Sequence, residues 1–257
     1  MPREAQHLSP SSPRSLAVVS WTGGKDCNLA LLSAWRNPTL EVIGLVVFVP
    51  EGVDFKAHPI RIQELQATAL SLPLTKVKIP KGATDYKAAY MKGMRELNVG
   101  LGVEVIVTGD MDLVDGMPNW MEECAAEVEG IKKVELPLWR ADRVACLERL
   151  VAESFSVVFS CVKSPWLDKE WIGMEITPEV IEEMKEIAKR NPPGGALPLD
   201  LGGENGEYHS MVLNGPLYEH GVHLECEAEP RELEGQPGQE AGAMWWTLKI
   251  KDASLSP

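Results

Sequence analysis

Two short segments of the 257-residue chain gather side chains able to do chemistry, and they lie far apart in the sequence. The first is Thr22-Gly23-Gly24-Lys25-Asp26-Cys27, set between the β-branched run LAVVS (16–20) and the apolar stretch DCNLALLSAWR (26–36). Strand, glycine turn and helix in that order hold an anion, most often phosphate. Glycines let the backbone close on the oxygens, and the first helical turn offers N–H donors and a partial positive charge. Lys25 can neutralise phosphate, Thr22 adds a hydroxyl, and Asp26 can hold Mg2+ or cap the helix. The plainer alternative is a strand-to-helix turn whose Asp26 is only a cap.

Spacing narrows the phosphate chemistry. A Walker A loop aligned on Gly24-Lys25 would put Val19 at its first glycine and Asp26 at its hydroxyl position, and no GxGxxG dinucleotide fingerprint is present here. The second segment, GGENGEYHSMVLNGPLY (202–218), places Glu204 and Glu207 around an Asn205-Gly206 turn. If the chain then extends, Glu207, His209 and Met211 share a face. Two carboxylates and an imidazole in one tight element can orient a nucleophile, move a proton or bind a metal. A hairpin turn with solvated acids and a hydrogen-bonded histidine is the alternative.

The elements that must position these groups follow a regular rhythm. Strand-like EVIGLVVF (41–48), TKVKI (75–79) and VEVIVT (103–108) alternate with helix-like PIRIQELQATALSL (59–72) and TDYKAAYMKGMREL (84–97), the latter with Thr84 as a plausible cap. Continuous β-branched strands between amphipathic helices predict a parallel sheet covered on both faces, with ligands at the carboxyl ends of its strands. Both Gly23-Gly24 and Gly109-Asp110 fall at such ends. Beyond Asp110 come a helix near 119–130, a strand over 132–139, a helix over 142–154, a strand over 155–162 and a helix over 178–190. Two C-terminal strands, VHLECEAE and MWWTLKI, close the chain. The expected organisation is a disordered tail over 1–14, a nucleotide-binding domain over 15–139 and a smaller α+β domain over 140–257.

Composition removes several function classes. A net charge of −13 without a Lys/Arg block argues against a nucleic-acid partner. No apolar run approaches the ~20 residues needed to cross a bilayer, so no membrane role is expected. Five scattered cysteines with no CxxC pair predict reduced thiols and a cytoplasmic protein. Asp112 and Asp115 read as a Mg2+ or adenosine contact or as an acidic turn, and His58 as a surface or capping histidine. Trp120, Trp139, Trp166 and Trp171 read as packing residues, and one of Trp245 and Trp246 as exposed.

The glycine loop resembles the SGGKDS loop of the PP-loop ATP pyrophosphatases, with Thr22 for the first serine and Cys27 for the last. GENGEYHSMV followed by Gly-Pro-Leu-Tyr resembles the GE-x-GE-(Y/F)-H-T signature of the diphthine–ammonia ligase family within that group. Gly109-Asp110 and Pro137-Leu138-Trp139 are similar to two further landmarks of the same family. The resemblance implies an adenine nucleotide alpha hydrolase-like (HUP) fold and a reaction with ATP and Mg2+. A substrate carboxylate is adenylated, pyrophosphate leaves, and ammonia displaces AMP to give an amide.

Carried over to this sequence, the resemblance assigns Thr22, Gly23, Gly24, Lys25, Asp26, Cys27, Gly109 and Asp110 to ATP, with Asp26 also on the metal. It assigns Glu204, Glu207 and His209 to the acceptor and ammonia site. It names diphthine on elongation factor 2 as the candidate protein substrate, and a homodimer is compatible with it. Another small carboxylate as acceptor, a tRNA-modifying relative, or a non-catalytic ATP-binding module are the competing readings.

Overall fold

The structure is a computed structural model that describes residues 13–52, 57–81, 85–113, 116–190, 197–232 and 244–256. The segment 1–12 of the expected tail, Thr84 and Asp115 lie outside the described residues.

Five strands build the first sheet: β1 (Ser15–Ser20), β2 (Leu40–Pro50), β3 (Leu74–Ile79), β4 (Val105–Val107) and β5 (Lys133–Glu135). Their order is β3-β2-β1-β4-β5 and every pairing is parallel. Successive side chains of a strand face opposite ways, and β1 uses both faces. Ala17 and Val19 enter the core formed with α1 (Lys25–Trp35) and α2 (Ile60–Ala69). Val18 enters the one formed with α3 (Tyr86–Leu101) and α4 (Trp120–Ala125). The parallel sheet flanked by helices is the fold class that the alternating pattern predicts. Because β1 lies between β2 and β4, the chain leaves it toward both sides, and the crevice at that switch is where ligands enter such sheets.

The second sheet is antiparallel, in the order β7-β6-β9-β8, from β6 (Ser156–Lys163), β7 (Tyr208–Asn214), β8 (Val222–Glu232) and β9 (Met244–Leu255). Helices α5 (Arg143–Ala152) and α6 (Pro178–Ala188) share its core with Leu29 and Leu32 of α1. On another face, Ile62 of α2 meets Val158, Met211 and Leu248 of the sheet. Helices α1 and α2 thus pack on both sheets, and this holds the C-terminal signature against the glycine loop.

Three local expectations change. The strand expected over 132–139 shortens to Lys133–Glu135, and 137–140 form a turn; Pro137 has no N–H to continue a ladder. Helix α3 is capped by Asp85, whose carboxylate accepts from the Ala88 N–H at 2.8 Å. Trp245 is buried and Trp246 half-buried, so neither tryptophan is fully exposed.

Candidate active site

The turn between β1 and α1 is fastened from three directions. Gly23 has φ +83°, a conformation that glycine adopts without strain. Its carbonyl accepts from the Val212 N–H of β7 at 3.0 Å and from Gln66 Nε2 of α2 at 2.9 Å. Gln66 is wholly buried; it also donates to the Val212 carbonyl and accepts from Trp21 Nε1. The first N–H of α1, on Lys25, donates to Ser210 Oγ at 3.1 Å. A Cβ at Gly23 would fall 2.2 Å from Gln66 Oε1, so here the glycine permits the approach of α2.

Lys25 is buried. Its ammonium donates to Asp26 Oδ2 at 2.7 Å and to the Gly202 carbonyl at 2.5 Å, and lies 5.3 Å from the Tyr208 ring centroid. Burial presses it toward the neutral form, but Asp26 and Tyr208 outweigh that, and its pKa ends above that of an ordinary lysine. Lys25 thus ties the glycine loop to the C-terminal signature. Asp26 Oδ1 is buried and has no partner among the described residues. The Cys27 thiol donates to the Gly24 carbonyl at 3.2 Å and accepts from Thr22 Oγ1 at 3.7 Å, and burial raises its pKa.

A cavity of about 660 Å³ opens at the carboxyl ends of β1, β2 and β4, within the size range of small-molecule sites. Thr22, Asp110 and Glu204 line it together. One wall is aromatic: Phe48 and Tyr90 stack at 4.3 Å and 7°, and Trp120 meets Tyr90 edge-on at 5.8 Å. Asp110 accepts from Asn119 Nδ2 at 2.6 Å, and Asn119 in turn caps α4. Asp112 pairs with Arg143 at 3.0 Å, which also faces Asp200 at 3.7 Å. Gly109 is required by a close approach, since a Cβ there would sit 2.6 Å from the Asp26 carbonyl carbon and from the Cys27 nitrogen. Backbone atoms at the start of a helix cannot yield. Gly109→Ala should therefore cost about 1–3 kcal/mol, visible as a lower urea midpoint at unchanged slope.

The C-terminal signature divides. Glu204 opens onto the cavity, yet the protein atoms around its carboxyl push it up to about 7; Lys25 opposes that rise and Asp26 adds to it. Glu207 is fully buried, and its carboxylate accepts from the N–H groups of Asp200 (2.9 Å) and Asn205 (3.0 Å) and from Asn205 Nδ2 (3.2 Å). It shapes the 200–207 loop and does not line the cavity. His209 is half-buried, edge-to-face with His58 at 5.3 Å and stacked on Trp245 at 6.5 Å. Burial, with Lys25 nearby, lowers the His209 pKa; burial, His209 and Lys25 lower that of His58 to about 3. The expected surface histidine His58 instead lies against the loop, its Cε1 3.3 Å from where a Gly24 Cβ would stand.

Residues 15–133 match the family model described as the diphthamide synthase N-terminal domain, and residues 144–242 match that of the diphthamide synthase C-terminal domain. The chain belongs to the diphthamide synthase family. No curated protein matches it.

Of the residues expected from sequence, the structure brings Thr22, Asp110 and Glu204 to one cavity. Gly23, Gly24, Lys25, Asp26 and Cys27 surround the start of α1 behind Thr22, with Gly109 packed upon them. Sequence reading missed Gln66, Phe48, Tyr90 and Arg143, and read His58 as a surface or capping residue and Trp120 as a packing residue. Gln66 left one signal, a polar side chain among the apolar positions of a helix. All five cysteines are free thiols, and no helix among the described residues is long and apolar enough to cross a membrane.

Proposed function

We propose that this member of the diphthamide synthase family is an ATP-dependent amide ligase. It transfers AMP from ATP to a substrate carboxylate, releases pyrophosphate, and replaces AMP with ammonia. The observation that carries the reading is the convergence of Thr22, Asp110 and Glu204 on one cavity at the strand ends, from two halves that match the two diphthamide synthase domains. We take 15–139 as the ATP-binding half and 140–257 as the family-specific half. The five free thiols suit a reducing compartment, and we assign the reaction to the cytoplasm.

The Phe48–Tyr90–Trp120 wall offers a flat apolar surface for adenine. Thr22 lines the same cavity, and its hydroxyl can donate to a phosphate oxygen in place of the long contact to Cys27 Sγ. Lys25, protonated and fixed beside the helix start, places positive charge where pyrophosphate gains negative charge as it leaves. No three His, Cys, Asp or Glu side chains converge on one point among the described residues. The partnerless Asp26 Oδ1 nonetheless suits Mg2+, which is usually held by one or two carboxylates and the phosphates. When bound, Mg2+ supplies charge neutralisation at the phosphates, and Asp26 would hold it. Glu204, titrating near neutrality on the cavity wall, can take a proton from the attacking ammonia. The acceptor we favour is diphthine on elongation factor 2.

The test is incubation with ATP, Mg2+, ammonium and diphthine-bearing elongation factor 2, with AMP, pyrophosphate and acceptor mass all measured. Amide formation matched by AMP and pyrophosphate supports the reading. Consumption of ATP without change in that acceptor assigns another small carboxylate. ATP binding with no AMP or pyrophosphate under any acceptor makes the chain a non-catalytic module.

A further inference from the structure

Two cations hold the turn that presents Glu204 to the cavity. One is Lys25, on the Gly202 carbonyl. The other is Arg143, the first residue of α5, which belongs to none of the sequence landmarks. A cation in the first turn of a helix faces the positive end of its dipole. Helix α5 is capped instead by Asp142, which accepts from the Ala145 N–H at 2.7 Å. The helix itself gains nothing from the charge of Arg143.

Its partners lie outside the helix, in two segments remote from each other in the chain. Nη2 donates to Asp112 Oδ2 at 3.0 Å, and Nε lies 3.7 Å from Asp200 Oδ2. Asp112 follows β4 and lines the cavity with Asp110. The other oxygen of Asp200, Oδ1, accepts from the Gly202 N–H at 2.7 Å and from the Glu204 N–H at 3.4 Å. The stem of Arg143 is placed as closely as its head: Cδ stands 3.1 Å from where a Gly202 Cβ would be. One guanidinium, on a side chain 18% exposed, thus joins the segment after β4 to the turn that carries Glu204. A lone exposed ion pair fixes little. A planar fork shared by two carboxylates sets direction as well as distance.

We propose that Arg143 is a positioning residue for amide formation: through Asp200 it sets where the Glu204 carboxylate stands over the cavity, and through Asp112 it fixes that turn to the nucleotide-binding half. It touches no reacting atom. This rests on the reading of the chain as a ligase with Glu204 as its base, but the order of the turn can be measured without turnover.

The experiment compares the full chain as wild type, Arg143→Met and Arg143→Lys, each with and without Glu204→Gln. Melting temperature, amide exchange by NMR and steady-state amidation of diphthine-bearing elongation factor 2 are recorded for each. In Arg143→Met the Gly202 and Glu204 N–H groups should exchange at least about tenfold faster, while the Asn205 N–H, held by Glu207, keeps its rate. Amidation kcat should fall about 10–10²-fold, the scale of a small misplacement of a reacting group, with KM for ATP within a few-fold. Arg143→Lys should recover part of both effects, since an ammonium keeps the charge without the fork. In the Glu204→Gln background Arg143→Met should cost little more, because the carboxylate it positions is already gone. Should Arg143→Met not fold, Asp200→Asn carries the same readouts: it keeps an oxygen for the two N–H groups and loses the attraction to Arg143. An equal loss of kcat in both backgrounds, tracking a lower melting temperature, overturns the proposal and makes Arg143 a structural tie between two segments. Unchanged exchange at Gly202 and Glu204 overturns it as well. If the wild type forms no amide while exchange shifts as expected, the ligase reading falls and the hold of Arg143 on the turn stands.

Discussion

Lys25→Ala is expected to slow ATP-dependent pyrophosphate release by about 10²-fold or more and, at the same time, to lower stability. A lysine that only faced phosphate would show the first effect without the second. Here the ammonium sits between Asp26 and the Gly202 carbonyl, and the residue is 4% exposed. Its removal strands a partly buried carboxylate, a class of change that costs about 3–5 kcal/mol. It also frees the 200–204 loop, which carries Glu204 to the cavity. Lys25→Met separates the contributions: it restores stem packing and none of the charge. Pyrophosphate release and urea unfolding on the same three proteins measure both. Wild-type turnover in Lys25→Ala would remove the loop from the phosphate site.

Glu204→Gln should slow amide formation by about 10²–10⁴-fold, the range for loss of a general base. It should leave ATP binding within a few-fold, since the aromatic wall and Thr22 remain. The pH profile is the sharper readout. Glu204 is exposed on the cavity side, yet the protein atoms packed around its carboxyl raise it to about 7, against the pull of Lys25, so wild-type amidation should climb as pH passes through about 7 and Glu204→Gln should lack that limb. Stability moves the other way. The folded state holds this proton more tightly than the unfolded chain, so the wild type loses stability as pH rises from the ordinary carboxylate range through about 7. Glu204→Gln should show none of that drift. Equal amidation profiles for the two proteins would take the base role from Glu204.

Much of the first sheet was legible because its signals are local. Ala17, Val18 and Val19 are β-branched or small and bounded by turn residues, and α1 begins where Gly24 ends the extended chain. Period and punctuation suffice for such elements. The same locality explains the misses. A run such as KKVELPLW reads as a strand until the neighbour available to pair with it, β4, proves to be three residues long.

The sequence by itself named candidates for meeting phosphate and for moving a proton, because residue type and spacing to a strand end single them out. It also placed the family, through landmarks each a few residues long. Only the tertiary structure decided how those groups are used. Glu204 and Glu207 are three positions apart and alike in type. One opens onto the cavity beside Lys25; the other is consumed by three N–H groups of its own loop. Gly23 and Gly24 look like a cradle for an anion, yet the atoms that press on them come from Gln66, Ser210 and His58, up to 186 positions away in the chain. Burial, electrostatic neighbours and close approach belong to contacts between segments remote in sequence. No local pattern encodes them, and they decide which carboxylate opens onto the cavity and which is spent inside its own loop.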